Sequence, residues 1–396
     1  MPIKQIFMLS FLVSGNMIGA GILAMPISAG IAGFWPSFFM MLFFSLSLFL
    51  SGIILAKEVN NKRNNTFNFP SLYEEHFGIS GKWIASVANL IIFYGLLISY
   101  LVGASKIILI VFKIDMSFEP LVLFLIFILL TYITMSNMSI IKKYNSILMV
   151  SLWIAFFILT YSGSSGIEIN RLTHVDWGYL PMAIPMIIGA FVFHSIIPTI
   201  CRDSKWSSDI WKPIALGLAM GFVMNTIWLI ISIGVVPEFG HISLNEARLT
   251  GVPITVEMSE ILNSKLFLIM GTIFAIIAIA TSYVSIGVSL KDFSKDILEN
   301  SLNIYNRWTV FIISFIPPLV VSYLFADIFL KALNIVGGVG IVLLFGILPT
   351  IIYYRQTSSK LGLFISLILL VAFSTTLIIT LLQTFGVLHL TPFGAN

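Results

Sequence analysis

Two stretches carry residue types and spacing that suit ligand chemistry. The first is GNMIGAGILAMP, Gly15 to Pro26, and the second is IIGAFVFHSIIPTI, Ile187 to Ile200. Each sets the small-residue pattern Ile-Gly-Ala inside an apolar run and follows it with a proline, Pro26 or Pro198. Glycine weakens a helix by roughly 1 kcal/mol relative to alanine, and proline removes a backbone donor. A helix interrupted here exposes two ends. Free N–H groups near Ile18, Gly19, Ala20 and Gly21 can hold an anion, and free carbonyls at Ser14, Gly15 and Gly189 can hold a cation. Neither stretch contains a carboxylate, lysine or arginine.

Side chains around the two breaks add candidates. Asn16 lies within the first, and Phe191 and Phe193 flank the second as walls for an aromatic group. Tyr94, Tyr100 and Tyr283 can supply an edge or a hydroxyl, although with 34 Phe and 12 Tyr the common role of an aromatic is packing or interfacial anchoring. His194 is an ionisable group within an apolar run, so it is a candidate proton carrier. The alternative is a neutral histidine bonded to a carbonyl freed by the break. Thr281, Ser285 and Ser289 share one helical face beside Ser282, and their hydroxyls can form a sodium site or simply bond back to their own helix.

The elements that position these residues are membrane spans. The chain has 396 residues, 58% hydrophobic and 10% charged, and its apolar residues come in runs long enough to cross a bilayer. About eleven spans are predicted: 5–29, 34–56, 83–112, 120–136, 144–161, 177–200, 213–236, 266–290, 308–325, 328–354 and 361–387. No linker divides them, so residues 1–396 form one transmembrane domain. The first run is too long for a cleaved signal core. Ser71–Gly78 is expected to form a short surface helix capped by Ser71, with Glu74 at its third position. The pair Pro317-Pro318 is expected to kink the ninth span.

Basic residues orient the chain. Lys57, Lys62, Arg63, Lys82, Lys142, Lys143, Arg202, Lys205 and Lys212 fall on one side, while Lys113, Arg171, Arg248, Lys265 and Lys331 fall on the other. The richer side is the cytoplasm, so the N-terminus is inside and the C-terminus outside. The same scatter, with no basic cluster interleaved with aromatics, argues against nucleic acid despite the net charge of +4. The lone cysteine, Cys201, is expected as a free thiol at a cytoplasmic helix end. YSGSSG at Tyr161–Gly166 lacks nucleophile-elbow spacing, and no His/Asp/Glu cluster suits a metal, so an enzyme is not expected. No ring of charges or repeated filter loop suggests a channel. Nothing calls for a cofactor or an obligate protein partner; the expected partners are lipid and a small molecule.

Gly15-x-x-x-Gly19 and Gly217-x-x-x-Gly221 are also helix-packing motifs, and packing is the favoured reading for the second. The first and sixth spans are corresponding members of two five-span halves, though. Gly/Pro interruptions at matching places in two halves point to a secondary-transporter site.

SGNMIGAGILAMPISAG resembles the first span of the hydroxy/aromatic amino acid permeases. FVFHSIIPTI is similar to their sixth span, and TSYVSIGVSLKDF to their eighth. Ala24-Met25-Pro26 and Ile197-Pro198 lean toward the tyrosine/tryptophan permeases rather than the serine permeases. Asn16 stands where the family carries a small hydroxyl residue, a departure that bears on side-chain and ion preference. The resemblance implies a LeuT-type fold: two inverted five-helix repeats, about 5–161 and 177–354, with broken helices 1 and 6 and an extra helix at 361–387. It implies ion-coupled import of an aromatic amino acid across the bacterial cytoplasmic membrane. Because such permeases are usually proton symporters, it favours H+ over Na+. Sodium-coupled uptake of small neutral or hydroxy amino acids, and a non-transporting sensor, stay open.

Overall fold

The computed structural model describes residues 1–63, 68–136, 138–302 and 306–388, with side chains described throughout except at 20, 138–147, 149 and 300–302. Among these residues the protein is helical from end to end. Helices α1 (Ile3–Met17) and α2 (Ala20–Ala32) form one bent span, followed by α3 (Phe34–Lys62), α4 (Phe69–Val111), α5 (Glu119–Met135) and α6 (Met138–Gly163). The second half opens with another interrupted span, α7 (Leu180–Ala190) and α8 (Ile197–Asp203), followed by α9 (Trp211–Val235). Two short helices outside the spans, α10 (Leu244–Thr250) and α11 (Ile254–Ile261), precede α12 (Lys265–Leu302) and α13 (Arg307–Leu324). The tenth span joins α14 (Phe329–Ile335), a π-helical segment (Val336–Ile347) and α15 (Leu348–Gln356); α16 (Lys360–Thr384) is the last.

Nine described helical stretches are long and apolar enough to cross a membrane, and the α1–α2 pair, bent by 60°, makes a tenth. The described apolar stretch Val150–Gly166 covers the end of α6 and the 3-10 turn after it, and its place in the order is that of the fifth of eleven spans. Continuous helix is what lipid demands, because every backbone group must be paired internally.

Helices in lipid attract one another by close packing rather than by the hydrophobic effect. Gly217 and Gly221 let α9 lie on α1: a Cβ at Gly217 would stand 2.5 Å from Val13 Cβ, and one at Gly221 would stand 2.6 Å from Met17 Cε. The packing role expected for this pair is what the structure shows. Gly337 brings the π segment so close to α7 that a Cβ would collide with the carbonyl of Pro185.

At one end of the bundle, buried Lys106 of α4 donates to Asp327 Oδ1 at 2.8 Å and to the carbonyl of Thr250 at 2.6 Å. These bonds tie α4 to α10 and to the loop before α14. At the other end, Glu58 of α3 pairs with His76 at 3.1 Å and accepts from Gln356 at 2.9 Å.

Two local expectations change. Ser71 is not the cap of its helix: the helix begins earlier, at Phe69, and Asn68 caps it, its Oδ1 accepting from Ser71 N at 2.7 Å. The eighth span runs on to Leu302, well past its predicted end, because polar flanking residues extend the helix beyond the apolar run. The short surface helix itself is present: it closes at Gly78, whose φ 68° and ψ −161° are non-helical and set it off from the third span within α4. Pro317 and Pro318 lie inside α13.

Candidate functional site

The chain unwinds where the glycines are. α1 ends at Met17; Ile18 (ψ 89°) and Gly19 (φ −140°, ψ −152°) leave helical geometry, and α2 restarts at Ala20. In the second stretch α7 ends at Ala190, residues 191–193 are irregular, and a short 3-10 turn over His194–Ile196 leads into α8. The two interruptions meet. A Cβ at Gly21 would lie 3.3 Å from Ala190 Cα and 3.5 Å from the carbonyl oxygen of Gly189. Gly189 itself faces open space, with nothing within 4 Å of the position its Cβ would take. The end of α7 therefore lies against the start of α2, while the Gly15 carbonyl at the end of α1 accepts from Ile18 N at 3.2 Å. Backbone ends brought together in this way can hold an ammonium beside a carboxylate without a charged side chain.

Two hydroxyls border the first break. Tyr100 of α4, 4% exposed, and Ser282 of α12 both bring their hydroxyls to Gly19. A Cβ there would stand 3.0 Å from Ser282 Oγ and 3.6 Å from Tyr100 Oη. On the other side, half-buried Asn16 donates from Nδ2 to Ser195 Oγ at 3.4 Å, linking α1 to the second break. Ser195 is exposed, so this side of the site is open, while Gly19 is buried and Gly21 half-buried.

The predicted residues divide clearly. The structure gathers Gly15, Asn16, Ile18, Gly19, Gly21, Gly189 and Ser282 at the two breaks, with the backbone of Ala20 opening α2. Ser14 is fully buried one turn earlier and bonds back to Phe11 O at 3.2 Å. Phe191 and Phe193 are fully buried in packing layers: Phe191 lies 6.0 Å from Phe222 of α9, and Phe193 presses on Gly52 of α3. Tyr94 and Tyr283 are drawn elsewhere. Tyr94 donates to Ile313 O at 2.6 Å on α13, and Tyr283 pairs with Thr131 of α5 at 2.8 Å. Thr281 bonds back to Ile277 O at 2.8 Å, Ser289 bonds to Ser285 O at 3.0 Å, and Ser285 is exposed.

His194 is completely buried, and its Nε2 stands 2.8 Å from Ser51 Oγ on α3 rather than on a freed carbonyl. Its ring is stacked between Phe193 (4.6 Å) and Phe345 of the π segment (4.8 Å), and Nδ1 has no partner among the described residues. Sequence reasoning missed Ser51, Ser195 and Phe345. A serine or phenylalanine in an apolar run carries no signal of its own; Ser195 could have been found only by its place next to His194.

Paired interrupted helices whose breaks lie against each other, inside a bundle with a five-plus-five order and one added helix, define a LeuT-type transporter. The chain belongs to the tryptophan/tyrosine permease family, whose sequence profile matches residues 3–389. It is thus a membrane transporter and not an enzyme. It is 27% identical over 337 residues to the tyrosine-specific transport system 1 of Haemophilus influenzae, covering 83% of this chain and 82% of that one. It is 23% identical over 351 residues to glutamine transporter 2 of Aliivibrio fischeri, covering 86% of each. Among solved structures, MhsT in complex with L-phenylalanine has the same fold, with a TM-score of 0.63 at 15% identity over 98% of this chain and 99% of that one.

Proposed function

We propose that the protein imports an aromatic amino acid, tyrosine or tryptophan with phenylalanine as a third candidate, across the bacterial cytoplasmic membrane by proton-coupled alternating access. The observation that carries this reading is the meeting of the two interrupted helices at Gly21 and Gly189, with the Tyr100–Ser282 hydroxyl pair beside it. The N–H groups opening α2 take the carboxylate, carbonyls near Gly15 and Gly189 take the ammonium, and the side chain lies toward the face where Gly189 is bare. In this reading the N-terminus is cytoplasmic, and residues 5–161 and 177–354 are the two repeats. The named substrate of the Haemophilus relative and the phenylalanine held by the structural neighbour support an aromatic ligand. The Aliivibrio relative's glutamine is the competing side chain, and Asn16 at the site favours keeping it in view.

Proton coupling is supported by a titratable His194 sealed next to the second break, and by the return of the Thr281 and Ser289 hydroxyls to their own helix. Uptake of labelled tyrosine, tryptophan, phenylalanine and glutamine into proteoliposomes tests both parts, with a proton gradient and a sodium gradient imposed separately. Proton-driven concentration of an aromatic is expected. Glutamine uptake alone would overturn the substrate, sodium-driven uptake the coupling ion, and binding without concentration would leave a sensor.

A further inference from the structure

Far from the breaks, the facing sides of α5 and α13 leave an apolar groove of about 440 Å³ on the outside of the bundle. Leu121 and Phe124 form one wall, Val320 and Tyr323 the other, and its surface is almost wholly apolar. It does not end blindly. Pro120 and Tyr323 also line an adjoining pocket of about 240 Å³ at the loop end of both helices, which is nearly half polar and contains Glu119 and Ser322.

Glu119 is the unusual feature. One carboxylate oxygen, Oε1, is buried and has no hydrogen-bond partner among the described residues. The charged groups that act on it are Lys106 and Asp327, and Lys106 is already bound to Asp327 at 2.8 Å and to the carbonyl of Thr250. A single cation is thus shared by two carboxylates beside a half-polar pocket, with the Ser105 hydroxyl as the other group that favours a charged Glu119. A buried oxygen without a partner is costly, and more so if charged, so a donor that supplies one is favoured.

We propose that this composite groove binds one phospholipid bearing a primary ammonium headgroup. An acyl chain lies between α5 and α13, and the ammonium donates to Glu119. The choice follows from charge and geometry together. An anionic headgroup meets an excess of negative charge, and a quaternary ammonium carries the charge but has no N–H to give Oε1. The reading does not depend on the transported substrate.

The test uses the full-length protein purified in detergent, stripped of lipid, and exposed to equal amounts of phosphatidylethanolamine, phosphatidylcholine and phosphatidylglycerol, with bound lipid counted by native mass spectrometry. One phosphatidylethanolamine should be retained several-fold over each of the others. Glu119→Gln, which preserves size, should lower its retention to the level of phosphatidylcholine without changing helicity. Val320→Trp, which fills the groove, should lower retention of both. Equal retention by the wild-type chain, preference for phosphatidylglycerol, or indifference to both substitutions would overturn the proposal. A photoactivatable acyl chain should label peptides from α5 or α13, and labelling confined to other helices would overturn it as well.

Discussion

Adding one methyl group at Gly19 probes the site more sharply than removing any side chain. In Gly19→Ala the new Cβ lies 3.0 Å from Ser282 Oγ, closer than carbon and a hydroxyl normally approach, and 3.6 Å from Tyr100 Oη, an ordinary contact. Backbone strain is not the cause, since φ at Gly19 is −140° and any residue adopts it. The serine hydroxyl must therefore turn away by a few tenths of an ångström or more, out of its place beside the first break. A neutral hydrogen bond contributes about 0.5–1.5 kcal/mol, so if this hydroxyl orients the substrate, affinity should fall about 2- to 13-fold. Ser282→Ala should cost about the same, by losing the hydroxyl outright. In the double variant the clash is gone, because removing the Ser282 hydroxyl leaves the new Cβ room to settle, and the second change should cost little. Equilibrium binding of labelled tyrosine or tryptophan to the four proteins in detergent gives the coupling directly, and a value of at least about 0.5 kcal/mol is expected for groups in contact. Additive losses would refute the claim that Gly19 acts through this hydroxyl. Unchanged binding in all three variants would refute the placement of the site at the first break.

Gly337→Ala should lower thermal stability sharply, by at least about 1–3 kcal/mol, because its Cβ meets the rigid backbone carbonyl of Pro185 rather than a side chain that can move; a melting temperature within a degree of wild type would contradict the close approach. Ser51→Ala removes the hydroxyl bonded to His194 Nε2 and should shift the pH profile of uptake while keeping turnover, whereas His194→Ala should uncouple uptake from the proton gradient; full proton-driven uptake with an unchanged profile in His194→Ala would end its coupling role. Outside the spans, burial and then the neighbouring Asp176 push Glu238 up to about 7, and the same carboxylate sits 3.0 Å from His174, which caps the end of α2 at Ile31 O. A carboxyl group whose folded value is raised favours the folded loop most below the ordinary carboxylate range and loses that contribution as pH rises toward 7. Protection from hydrogen exchange at residues 174–179, taken relative to the intrinsic rate at each pH, should therefore fall between pH 5 and pH 7.5, and Glu238→Gln should remove that fall; equal protection at both pH values in wild type would refute it.

The sequence alone determined the class of the molecule and the location of its breaks. Long apolar runs must be helices in lipid, and glycine with proline at matching places in two spans must weaken them there, so the interruptions at Gly19 and after Ala190 follow from local chemistry. The spacing of Gly217 and Gly221 likewise announced a packed face. Side-chain roles were a different matter. Tyr94, Tyr100 and Tyr283 carry the same hydroxyl on the same kind of helix, yet only Tyr100 reaches the first break, while the others are held by α13 and α5. Ser282 faces Gly19, and Thr281, one residue away, bonds to its own helix. His194 looked toward the gap in the sequence and is locked between two phenylalanines against α3. Each of these outcomes depends on how a helix is rotated about its axis, where neighbouring residues differ by about 100°. A nearly uniform apolar sequence sets no such rotation; contacts from distant helices do.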